Sequence, residues 1–148
     1  MSLRFKANIY EILNSISRKI GFLLPPMDSV EQAIEFVLKK LEEFDDEIIL
    51  PTTIEDLLAI EENVLSAVLE AIETIGEPPI NTLTPLARLY YTEYRGVSIE
   101  EASKMMNEHE DILFEQFLRL NMGKRLTVKQ LRNYLKYVLQ FFKEFSKS

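Results

Sequence analysis

The chain reads as an all-α protein, a single compact bundle of about six to seven helices with short loops. Three observations predict this. Its 148 residues are 47% hydrophobic, enough apolar material for one core. Apolar residues recur at helical spacing through nearly every segment. The 4 Gly and 6 Pro fall between those segments and not inside them.

The first helix carries Phe5, Ile9, Ile12, Leu13, Ile16 and Ile20 on one side and stops at Gly21, a natural left-handed cap, before Pro25 and Pro26. Ser29 and Gln32 form a capping box that opens the second helix. Its stripe is Val30, Ala33, Ile34, Val37, Leu38, Leu41 and Phe44. Asp45, Asp46 and Glu47 oppose the helix dipole there, so this helix should end near Phe44. Ile48, Ile49 and Leu50, ahead of Pro51, read as a buried extended connection.

Thr53 and Asp56 open the third helix, whose apolar positions run from Leu57 to Ile75 and close at Gly76. Gly76-Glu77-Pro78-Pro79 reads as an internal joint at 76–80 within a single domain, 1–148. Thr84 caps a helix with Pro85 at its first position, and Gly96 ends it. Ser98 and Glu101 open a helix through about Asn107. Another is expected from about Glu110 to Gly123. Thr127 and Gln130 open the last, which runs to about Phe145.

Composition excludes whole classes of chemistry. With no Cys there is no disulfide framework, thiolate zinc site, iron-sulfur cluster or Cys nucleophile. With His109 as the single histidine, a Ser-His-Asp triad and a His-rich metal site are not expected. Glu108, His109, Glu110, Asp111 and Glu115 hold ligand-type side chains, but Glu-x-x-His is absent and they suit a solvated helix start. No catalytic set, metal or cofactor is expected. No apolar run has the length of a membrane span, so a cytoplasmic protein with no membrane contact is expected.

The net charge of −7 is unevenly distributed. Residues 1–27 carry +3, residues 28–118 carry −17, and residues 119–148 carry +7. This last, basic region is the main functional signal. Lys129, Arg132, Lys136, Gln140, Lys143 and Lys147 share one face of the terminal helix, and Arg119, Lys124 and Arg125 lie just upstream. A single-sign stripe of this kind tracks a phosphate backbone, and Tyr134, Tyr137 and Phe141 beside it offer stacking surfaces. Three readings stay open: nucleic acid or nucleotide phosphate, an acidic protein surface, and plain solvation, with the aromatics as core in the last. Residues 86–120 also have the outline of a helix-turn-helix. However, the reading helix would begin Glu110-Asp111 and present carboxylates to phosphates.

From about Asn63 onward the order of signals resembles the C-terminal domain of the large, non-catalytic subunit of archaeal and eukaryotic primases. The residues that carry it are the helix Val64 to Ile72, the helix Leu86 to Tyr94, the run Gly96-Val97-Ser98-Ile99-Glu100-Glu101-Ala102, and Ile112 with Gln116. The likeness covers at most half of the chain. That family holds an iron-sulfur cluster through four cysteines, which this sequence lacks, so the nearer likeness is to the cysteine-free accessory X subunit of crenarchaeal primases. The resemblance implies a domain that helps bind template and initiating nucleotide while another subunit polymerises. It also implies Arg88, Arg95, Arg119 and the stripe Lys124, Arg125, Lys129, Arg132 and Lys136 as phosphate contacts. The expected function is therefore a non-catalytic accessory subunit that binds single-stranded nucleic acid or nucleotide, with a protein partner subunit. The alternative is a protein–protein interaction or assembly module, such as a chaperone or adaptor, with no nucleic-acid contact.

Overall fold

Local capping chemistry sets most of the element starts. In the computed structural model, which describes residues 3–75 and 83–146, α1 spans Leu3–Ile20 and α2 spans Val30–Leu41. Gly21 ends α1 at φ +110, and the Phe22 N–H reaches back to the Ser17 carbonyl at 3.0 Å in a Schellman closure. The Ser29 hydroxyl accepts from the Gln32 N–H at 3.1 Å and starts α2. The α-helical turns of α2 stop at Leu41, and two tighter turns, Glu43 N–H to Lys40 and Phe44 N–H to Leu41, carry the chain to the expected end at Phe44.

A short strand β1, Ile49–Thr53, leads into the long helix α3, Ile54–Ile75. The expected connection at 48–50 is extended but only partly buried. Leu50 enters the core, whereas Ile48 and Ile49 face outward. The joint expected at 76–80 lies outside the described residues. Next come α4, Pro85–Leu89, a π-helical turn, Tyr90–Tyr94, then α5, Ile99–Met105, and α6, Glu108–Asn121. Asn107 does not end α5. Its side chain accepts from the Glu110 N–H and caps α6, which starts two residues ahead of the expected Glu110. A second strand, β2, Arg125–Thr127, precedes α7, Val128–Ser146.

The fold is thus predominantly helical as expected, with one unforeseen addition, an antiparallel ladder of β1 and β2 that pairs Ile49 with Thr127 and Thr53 with Arg125. Three residues of β2 are too few to register as a strand by alternation.

Helix α7 packs against α4, α2 and α3, and α1 packs against α2 and α3. The main core between them includes Leu13, Ile34, Leu57, Leu86, Leu131 and Leu135. A second cluster, Leu83, Ala87, Tyr90, Tyr91 and Ala102, holds the α5–α6 hairpin with help from Phe114 and Phe117. The Tyr90 ring lies 4.7 Å from that of Phe117 and 5.4 Å from that of Phe114, and Tyr94 lies 4.5 Å from Phe117, all in tilted contacts.

Candidate nucleic-acid interface

The basic face is built on α7. Thr127 and Gln130 cap its first turn reciprocally: the Gln130 N–H donates to the Thr127 hydroxyl at 3.2 Å, and the Thr127 N–H donates to Gln130 Oε1 at 3.0 Å. Two further N–H groups of that turn reach across the fold. Val128 donates to the Ile48 carbonyl at 2.9 Å and Lys129 to the Asp46 carbonyl at 3.1 Å. With Leu131, Tyr134, Leu135 and Val138 buried, the helix turns Lys129, Lys136, Gln140 and Lys143 to the surface. Lys129 and Lys143 stand about 21 Å apart along the axis at the rise of an α-helix.

The eight cations expected to meet phosphate divide into two groups. Arg119, Lys124, Arg125, Lys129 and Lys136 are exposed, and none of the ion pairs among the described residues uses them. Arg119 lies in the last turn of α6, Lys124 and Arg125 follow the turn at Gly123, and Lys129 lies in the first turn of α7, so four of the five fall on the short stretch that joins the two helices. Lys136 extends the line along α7.

The other three, Arg88, Arg95 and Arg132, are each paired with a carboxylate of the same chain. Arg88 is 1% exposed. It grips Glu144 bidentately at 2.9 and 3.2 Å, donates from Nε to the Leu83 carbonyl at 3.0 Å and lies over the Phe141 ring at 5.5 Å. Arg95 forks onto Glu110 at 2.8 and 3.1 Å. That contact holds the Glu110 carboxyl below its usual range, while burial and the same carboxylate push the Tyr91 hydroxyl up to about 12. Arg132 pairs with Asp46 at 2.6 Å, and this hydrogen bond lowers the Asp46 carboxyl and raises the guanidinium. The stripe is therefore partly neutralised by the acidic body of the same chain.

Of the aromatics beside the stripe, Tyr134 and Phe141 belong to the interior and Tyr137 is half-buried, which agrees with the reading of them as core. Tyr134 is wholly buried and donates to the Leu57 carbonyl at 3.0 Å, and Phe141 lies beneath Arg88. The Tyr137 hydroxyl shares a 3.0 Å hydrogen bond with Thr92. What α7 itself leaves exposed is polar or charged, and the exposed aromatic beside it is Tyr94, whose hydroxyl accepts from Gln130.

A row of polar contacts between the π-helical turn and α7 had no sequence signal. Besides Thr92 with Tyr137, Asn133 donates to the Glu93 carboxylate and Gln130 donates to the Tyr94 hydroxyl at 2.8 Å. The π turn makes this row possible. The Arg95 N–H bonds the Tyr90 carbonyl five residues back, and the wider turn aims Thr92, Glu93 and Tyr94 at one neighbour. Gly96 at φ +68 then ends the helix as the Val97 N–H reaches the Tyr91 carbonyl.

Glu61 is a second unforeseen group. It is buried on α3 and accepts from the Leu86 N–H at 2.7 Å, so it caps α4 from outside, and burial pushes its carboxyl up to about 7. On α6, Glu108, Asp111 and Glu115 are exposed acids at the start of what would be a reading helix, which disfavours the major groove. Among the described residues no three metal-ligating side chains converge. No helix among them is long and apolar enough to cross a membrane.

Comparison with protein-family models, with curated proteins and with solved structures finds no match to this chain.

Proposed function

We propose that the chain is a non-catalytic helical accessory subunit, acting in the cytoplasm, that holds the phosphates of single-stranded nucleic acid or of a nucleotide. The contacts are Arg119, Lys124, Arg125, Lys129 and Lys136. On the strength of the primase-like run from Gly96 to Ala102, its setting is a DNA primase whose other subunits polymerise. One observation carries this reading. These five cations occupy a short stretch of chain, stand exposed, and form no direct ion pair among the described residues, although the body carries a large acidic excess and Asp46 lies within the electrostatic reach of Lys129 and Lys136. With no exposed aromatic among the described residues of α7 itself, the contact is chiefly with the backbone and tolerates any sequence.

The test is fluorescence anisotropy of a labelled oligothymidine against salt. Five phosphate contacts to a single strand give a slope near −3.5 in log K against log salt, so affinity should fall roughly 100-fold between about 50 and 200 mM. The Lys129→Glu, Lys136→Glu double variant should lose binding, while Lys39→Glu, an exposed change on α2, should keep it. No binding at the lower salt, or equal loss in both variants, refutes the proposal.

A further inference from the structure

Helix α6 is apolar on two sides. One side, Phe114 and Phe117, packs on the tyrosines of the π turn. The other carries Ile112, 55% exposed, and Leu120, 74% exposed, with Gln116 between them at four-residue intervals; Met122, 46% exposed, follows the helix end. Three of the seven exposed large hydrophobics among the described residues therefore lie on or just beyond this one helix. Isolated exposed apolar residues are ordinary; Ile112 and Leu120, two turns apart on one face with Gln116 between them, give a single helix two exposed anchors. The exposed acids Glu108, Asp111 and Glu115 line one flank of the stripe.

We infer that the outer face of α6 docks an amphipathic helix of a partner protein, with its apolar stripe on Ile112 and Leu120 and a Lys/Arg flank against Glu108, Asp111 and Glu115. Charge selects this occupant. A second copy of the chain pairing through the same face would set acid against acid. The exposed basic stripe of α7 does not fit either, since no large hydrophobic from Lys124 to Lys143 is exposed. Arg119, one of the five proposed phosphate contacts, stands beside Leu120 on this helix and is left unchanged in the variants below, so loss of peptide binding and loss of phosphate binding are read separately.

The experiment uses the full chain, isotope-labelled for NMR, and a synthetic Leu/Lys peptide patterned as an amphipathic helix. The control peptide has the same composition with the pattern scrambled. Amide shifts confined to residues 108–122 are expected with the patterned peptide, together with much weaker binding of the scrambled one. Ile112→Ser with Leu120→Ser should weaken binding about tenfold or more. Glu108→Gln, Asp111→Asn and Glu115→Gln together should weaken it and flatten its salt dependence. All five positions are exposed, and an unchanged circular dichroism spectrum will verify the fold. Equal binding of both peptides, shifts on other elements, or indifference to both sets of substitutions overturns the inference. So does self-association in sedimentation that the two serines abolish, which would assign the face to a second copy.

Discussion

The pair Arg88–Glu144 predicts an asymmetry between its two halves. Arg88 is 1% exposed and cannot shed its charge, whereas the Glu144 side chain is 43% exposed. Glu144→Ala therefore strands a cation in the interior, while Arg88→Met leaves a carboxylate that water can reach. Breaking a buried pair from one side costs about 3–5 kcal/mol when both ions are enclosed. Water entering from the Glu144 side reduces that to about 2–3 kcal/mol here. Arg88→Met loses the Nε bond to Leu83 and the contact with Phe141 but keeps most of the apolar volume, for about 1 kcal/mol. In a chain of this size each kcal/mol moves Tm by about 2–4 °C, so Glu144→Ala should melt about 5–10 °C lower and Arg88→Met about 2–4 °C lower. The double variant should be more stable than Glu144→Ala alone, because it removes the stranded charge. Urea unfolding followed by circular dichroism on all four proteins reads each term. If Glu144→Ala costs no more than Arg88→Met, the buried-charge reasoning is wrong.

Two further outcomes follow from single groups. Because burial raises the Glu61 carboxyl to about 7 from an ordinary 4.5, its stabilising contribution is complete below about pH 4.5 and is lost as pH rises through 7. That contribution is about 3 kcal/mol at most. Glu61→Gln keeps an acceptor for the Leu86 N–H, and thermal melts across about pH 5–8 should show a flatter profile than the parent; an unchanged slope would contradict the burial argument. Gly96→Ala should cost about 1 kcal/mol through its positive φ alone, since no atom lies within 4 Å of the added carbon. Gly96→Asn should recover part of that loss in the same melts, and a neutral Ala variant would deny the strain.

Interactions a few residues long were legible and interactions between distant segments were not. The capping boxes at Ser29, Ser98 and Thr127 were readable because donor and acceptor lie three residues apart. The partners of Arg88, Arg95 and Arg132 are set by packing between helices, which neither the family resemblance that singled out Arg88 and Arg95 nor the helical spacing that singled out Arg132 can reveal. Tyr134 is a different case. Leu131, Tyr134, Leu135 and Val138 follow helical spacing, and that period places the tyrosine in the core once the stripe is drawn widely enough. The π turn had no signal, since its Tyr-rich residues suit an ordinary helix equally well.

The start of α7 depends on carbonyls that the chain made much earlier. Asp46 and Ile48 take the N–H groups of Lys129 and Val128, and β1 pairs with β2 just ahead of them. These contacts close a loop of about 80 residues, an entropic cost met only once the body has assembled. The basic third is therefore not a portable tail. Severed before Arg119, it would leave its helix without those carbonyls and its core-facing side without a core, and grafted onto another protein it would carry the charges without their spacing.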